Sequence, residues 1–128
     1  MAVKRVLIVD DERLARISLA DFLQESGYEV IAVSDGESAI RQQQQQPFDV
    51  CIVDIRMPSM NGVETMLALH RAGPDSLYIV YTGSPQFVVT PALEEIGLTE
   101  QCVVRKPVID MGVFVALIDA ELPQDREG

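Results

Sequence analysis

Five short apolar runs punctuate this chain, each separated from the next by a stretch of helical length. They are Val6-Leu7-Ile8-Val9, Val30-Ile31-Ala32-Val33, Val50-Cys51-Ile52-Val53, Tyr78-Ile79-Val80-Tyr81 and Cys102-Val103-Val104. Their β-branched residues run on without alternating polar ones, which is the pattern of strands covered on both faces. Such cover requires helices above and below a parallel sheet, so the predicted order is strand then helix, five times over. The expected fold class is a doubly wound α/β domain.

The segments between the runs carry helix signals. Glu12 to Ser26 holds Leu14, Ile17, Leu19, Phe22 and Leu23 and stops at Gly27. Asp35 or Ser34 can cap a second helix that ends before Pro47. Asn61 can cap a third, with Val63, Met66, Leu67 and His70 as its inward stripe. Thr90-Pro91 opens a short fourth helix that closes by Gly97, and Asp110 to Leu122 makes the fifth. The glutamine run Gln42 to Gln46 reads as an exposed face of the second helix. At 128 residues this is one domain by length, assigned to residues 1–123, with 124–128 as a polar tail.

A net charge of −10 argues against nucleic acid or an anionic membrane as a direct partner, because phosphate binding needs an excess of Lys and Arg. Cys51 and Cys102 sit inside apolar runs, with neither metal-site nor disulfide spacing, and read as small buried hydrophobes in a reducing compartment. No run approaches the length of a membrane span, and the N-terminus lacks a signal-peptide pattern. The expected location is cytoplasmic.

In an open parallel sheet, ligands bind beyond the carboxyl ends of the strands. This chain places Asp10, Asp11 and Glu12 after the first run, Asp54 after the third, Thr82 after the fourth and Lys106 after the fifth. Converging aspartates repel one another, and carboxylates, a carbonyl and water make an oxygen shell suited to Mg²⁺. Lys106 is expected to be a second cation for Asp54. A carboxylate held between metal and ammonium is placed to attack phosphorus, since phosphoryl transfer needs mainly positioning and charge neutralisation. Thr82 offers a hydroxyl to a phosphate oxygen, and Gly83 leaves room for the donor. His70, the chain's one histidine, reads as a helix-face residue.

The stretches IVDDE (8–12), DIRMPSMNG (54–62), YTGS (81–84) and RKP (105–107) together resemble the receiver domain of bacterial two-component response regulators. The resemblance covers essentially the whole chain. It implies a flavodoxin-like (βα)5 fold with strand order 2-1-3-4-5 and Asp54 as phosphoacceptor. It also implies Asp11, Asp54 and the main-chain carbonyl of Arg56 as Mg²⁺ ligands, with Asp10 close by, largely through water. Lys106 would bind the phosphoryl group and Thr82 would move toward it as the switch. The implied partners are a sensor histidine kinase or histidine phosphotransfer protein and a downstream effector domain or protein. A homodimer through the fourth and fifth helices is a further option.

Two departures from the family pattern stand out. Val103 occupies a position where the family often has an aromatic residue. Pro85 and Pro91 should shorten the fourth helix and reshape the surface beside the fifth strand. At positions that tend to tune hydrolysis in the family, this chain has Arg56 and Ser84, and Arg56 cannot serve as a base. A fairly long-lived phosphoryl group is therefore expected. The competing readings are a receiver-like interaction module that is never phosphorylated and, ranked last, a Mg²⁺-dependent phosphatase.

Overall fold

The computed structural model describes residues 3–56 and 62–122. Its strands are β1 (Arg5–Val9), β2 (Glu29–Val33), β3 (Val50–Val53), β4 (Leu77–Thr82) and β5 (Val103–Arg105). Its helices are α1 (Arg13–Glu25), α2 (Gly36–Gln45), α3 (Gly62–Ala72), α4 (Pro91–Glu95) and α5 (Gly112–Glu121). A 3-10 turn, Glu100–Cys102, precedes β5. All the strand pairs are parallel, in the order β2-β1-β3-β4-β5, with Val9 beside Val53 and Tyr81 beside Val104.

Helices cover both faces. Tyr78 of β4 donates its hydroxyl to the Gly73 carbonyl just past α3 (3.0 Å). Tyr81, an odd number of positions along the same strand, meets Phe114 of α5 instead. The strand-helix alternation expected from the sequence is the alternation observed.

Local chemistry sets the helix ends. α1 closes where Gly27 takes φ +101°, a conformation that side chains resist, and the Tyr28 N–H returns to the Leu23 carbonyl at 3.1 Å. Asp35, not Ser34, caps α2 by accepting the Ser38 N–H at 2.7 Å. Thr90 and Pro91 open α4, which is five residues long. α5 starts at Gly112 because the Asp110 carboxylate first accepts the Gly112 N–H, at 2.8 Å. Asn61, Pro58 and the tail lie outside the described residues.

Several expectations need correction. β2 is an edge strand, with Glu29 and Ala32 exposed, so continuous apolar character did not mean cover on both faces there. Cys102 belongs to the 3-10 turn and not to β5. Leu19 and Leu23 carry the inward face of α1, whereas Leu14 is 74% and Ile17 39% exposed. The buried stripe of α3 is Thr65, Met66 and Leu69; Val63, Leu67 and His70 are half-buried on its flank.

The glutamine run is not simply a solvated face. Gln43 is fully buried, donating from Nε2 to Ser76 Oγ (3.0 Å) and the Leu69 carbonyl (3.3 Å). Its Oε1 accepts the Phe48 N–H at 2.8 Å. One side chain thus closes the backbone polar groups where α2, α3 and the entrances to β3 and β4 meet.

Both cysteines are free and buried. Burial pushes the Cys51 thiol up to about 12. The unfolded thiol ionises near ~8.5, so above that pH the unfolded state sheds a proton that the folded state keeps. Stability is therefore expected to fall by about 1.4 kcal/mol per pH unit from roughly pH 9 toward 12. Urea midpoints measured across pH 7–11 should show this fall, and Cys51→Ala should make it shallower, leaving the part due to the Cys102 thiol, which burial also raises. A wild-type midpoint unchanged over that range would contradict the assignment.

Candidate functional site

A parallel sheet brings every strand's carboxyl end to one edge, and the charged residues gather there. Asp10 follows β1, and its N–H is fixed to the Val33 carbonyl at 3.1 Å. Asp54 follows β3, its N–H fixed to the Val9 carbonyl at 2.9 Å. Gly62 makes room behind it: a Cβ there would stand 2.4 Å from the Asp54 carbonyl oxygen, so α3 could not begin where it does with any other residue. Lys106 follows β5, with its N–H on the Thr82 carbonyl at 2.8 Å and a cis peptide to Pro107.

Asp10 and Asp54 are buried, at 2% and 5% exposure, while Asp11 is exposed. One carboxylate oxygen from each of the three lies within 4.8 Å of the others. Two buried carboxylates at that spacing repel by roughly 3 kcal/mol at an effective dielectric of about 20. Local hydrogen bonds absorb part of the cost: Asp10 Oδ1 accepts the Glu12 N–H (2.9 Å) and Asp54 Oδ1 the Arg56 N–H (3.0 Å). Arg16 steadies the same turn by donating to the Asp10 carbonyl at 2.8 Å.

Lys106 Nζ supplies the positive charge. It donates to Glu12 Oε1 (2.8 Å), Asp10 Oδ2 (2.9 Å) and Asp54 Oδ2 (3.3 Å). It was expected to serve Asp54; the shorter contacts are to Asp10 and Glu12. Burial pulls the ammonium's pKa down, but the hydrogen bonds to Glu12 and Asp10 and the nearby carboxylate charges outweigh it and hold it above the usual lysine value. Burial holds the Asp10 carboxyl above the usual aspartate range despite Lys106 and the Glu12 N–H. The Lys106 hydrogen bond lowers Glu12. One ammonium among four carboxylates leaves a net negative site.

Thr82 is fully buried, and its hydroxyl accepts the Ser84 N–H at 3.1 Å, turned toward its own loop. Arg105 straps that loop to β5, donating to the Ser84 and Phe87 carbonyls at 2.9 Å each. A cleft of about 520 Å³ opens over these groups, lined by Asp11, Glu12, Asp54, Arg56, Gly83, Lys106 and Pro107.

The structure thus gathers Asp10, Asp11, Asp54 and Lys106 directly, puts Arg56 on the cleft wall and sets Thr82 at its side. Two further residues belong to the site. Glu12 is expected at the first strand end beside the paired aspartates but with no role assigned to it; the structure gives it the shortest contact to Lys106, 2.8 Å. Tyr81 was read as a strand residue; its ring lies 5.1 Å from Lys106 Nζ. Position 103 keeps its half-buried valine, so the aromatic side chain of this edge comes from the neighbouring strand.

Residues 6–124 match the response regulator receiver domain family. The response regulator receiver protein CpdR of Brucella abortus is 32% identical over 89 residues, 70% of this chain and 74% of that one. Other curated relatives are much longer than the match, which spans 17% of one and 21% of another. A CheY-like receiver domain structure from Methanospirillum hungatei superposes with TM-score 0.84 at 25% identity, covering 94% of each chain. The response regulator TrrA of Thermotoga maritima, solved in complex with Mg²⁺ and BeF, superposes with TM-score 0.81 at 27% identity, covering 94% of this chain and 100% of that one.

Proposed function

From the premise that this chain belongs to the response regulator receiver domain family, with its flavodoxin-like fold, we propose that Asp54 is the residue that takes up the phosphoryl group. The observation that carries this is the buried Asp54 carboxylate, 3.3 Å from an ammonium and grouped with two further aspartates at the strand ends. In the transfer, an Asp54 oxygen forms the new P–O bond as the P–N bond of a phosphohistidine breaks. The departing imidazole takes its proton from solvent.

The donor set of hard carboxylate oxygens fits Mg²⁺. Asp10, Asp11, Asp54 and the Arg56 carbonyl would hold it, and its charge would neutralise phosphoryl oxygens beside Lys106. Lys106 would shift from Asp10 and Glu12 toward the esterified Asp54. Thr82 would release the Ser84 N–H to offer its hydroxyl, disturbing the loop that Arg105 straps. That loop and the five-residue α4 are then the altered surface offered to a downstream effector. Arg56, exposed on the cleft wall and unable to act as a base, supports a long-lived phosphoryl group.

The donor is a sensor histidine kinase or phosphotransfer protein. Exposed Leu14, Ile17 and Ile109, at 74%, 39% and 102%, lie within a few residues of Asp11 and Lys106 and supply apolar ground for it. Among the described residues, no helix is long and apolar enough to cross a membrane. The free thiols favour a reducing cytoplasm. In this reading the chain catalyses only its own phosphorylation and dephosphorylation.

Incubation with acetyl phosphate and Mg²⁺, followed by intact mass, tests the proposal. Wild type should gain one phosphoryl group and Asp54→Ala none. Uptake by neither protein would favour the unphosphorylated interaction module, and uptake by both would move the acceptor elsewhere.

A further inference from the structure

Tyr81 stands on β4 immediately before Thr82 and is 6% exposed. It pairs with Val104 across the β4–β5 ladder, and Lys106, two residues beyond Val104, returns to the same side of the sheet. The Lys106 ammonium consequently lies 5.1 Å from the centre of the Tyr81 ring. The ring also meets Phe114, fully buried in α5, edge-on at 4.9 Å and 78°. Phe114 therefore holds the ring's position while the ring attends the charge.

Three carboxylates draw on that ammonium, and Glu12, the nearest at 2.8 Å, is itself largely solvent-exposed. A lysine carries a long flexible stem whose rotamer freedom is costly to immobilise. An aromatic face within about 6 Å of a cation attracts it without adding a hydrogen-bonding competitor. We propose that Tyr81 is a positioning residue for Lys106: its ring, backed by Phe114, keeps the ammonium aimed at the acceptor carboxylate when Glu12 and Asp10 must give it up to the phosphoryl group. This rests on the phosphoacceptor reading for its consequence, though not for the contact itself.

The experiment compares autophosphorylation by acetyl phosphate with Mg²⁺ in wild type, Tyr81→Leu, Tyr81→Phe, Lys106→Ala and Tyr81→Leu/Lys106→Ala. Tyr81→Leu should lower the rate at saturating donor about tenfold, with the half-saturating donor concentration little changed. Tyr81→Phe, which keeps the ring, should recover most of the loss. In the Lys106→Ala background, Tyr81→Leu should cost nothing further. A full additional loss there, or no loss in Tyr81→Leu alone, overturns the proposal.

If Tyr81→Leu does not fold, a series of ring-fluorinated phenylalanines at position 81 keeps the shape while weakening the ring's field. The rate should fall with each added fluorine, and a flat series overturns the proposal. The ring-current shift on the Lys106 ε protons, present in wild type and lost in Tyr81→Leu, reads the contact whether or not phosphoryl transfer occurs. Its absence in wild type sinks the positioning role, whereas its presence without phosphoryl uptake sinks only the reading of Asp54.

Discussion

Lys106→Ala should lose about 2–4 kcal/mol of stability at pH 7.5 in metal-free buffer and roughly 10²-fold in phosphoryl uptake. The stability loss comes from what is left behind. Asp10 and Asp54 have side chains only 3% and 6% exposed, and without the ammonium they stay buried as uncompensated anions. The contact to Glu12, whose side chain is 62% exposed, adds little, since Glu12 can return to water.

The pH dependence has a definite sign. The Lys106 pKa is raised by folding, so its stabilisation is complete below the unfolded lysine value of about 10.4 and is lost as pH rises through the higher folded value. The Asp10 pKa is also raised, by burial, so acid relieves that buried charge sooner than it would an exposed aspartate's. The deficit in Lys106→Ala should therefore be large at pH 7.5 and shrink at pH 4.5. A divalent cation that binds only the folded site should restore part of it. Urea midpoints at the two pH values, with and without Mg²⁺, make the comparison. Equal stability of variant and wild type at pH 7.5 would mean that the carboxylates are already compensated from elsewhere.

The second large effect lies at the opposite edge of the sheet. Gln43→Leu should cost about 1–3 kcal/mol, because it strips the buried Phe48 N–H of its partner inside the protein and removes the amide's donation to Ser76, while the Leu69 carbonyl keeps the Gly73 N–H at 2.8 Å. Volume is nearly conserved, so the loss reports hydrogen bonding and not a cavity. Gln44→Ala, one residue along and exposed, should change stability by no more than about 0.5 kcal/mol. Urea unfolding should show a lowered midpoint with an unchanged slope for Gln43→Leu. Two indistinguishable variants would show that the buried amide contributes nothing net.

This pair also marks where sequence reading reaches its limit. A run of identical glutamines carries no periodic signal, so nothing in the residue types separates Gln43 from Gln44; only the approach of α3 and the β3 entrance does. Leu14 and Ile17 obey the helical period and still face water, so the period alone does not tell which of a helix's apolar residues the sheet covers. The fully buried β1 and β3 runs were legible because apolar continuity is an unambiguous signal in central strands. It fails at β2, where an edge strand keeps the same composition with half the cover. At the site, strand-end position told which acids would meet. It did not tell how one ammonium divides itself among three of them, since that depends on side-chain reach.

Arg105 and Lys106 are consecutive, and in extended backbone consecutive side chains leave on opposite sides. A single peptide unit therefore has one hand in the acidic cleft and the other on the carbonyls of Ser84 and Phe87. The chemistry and the outward-facing loop hang from the same hinge pin, so the shortest mechanical route between them is one residue long.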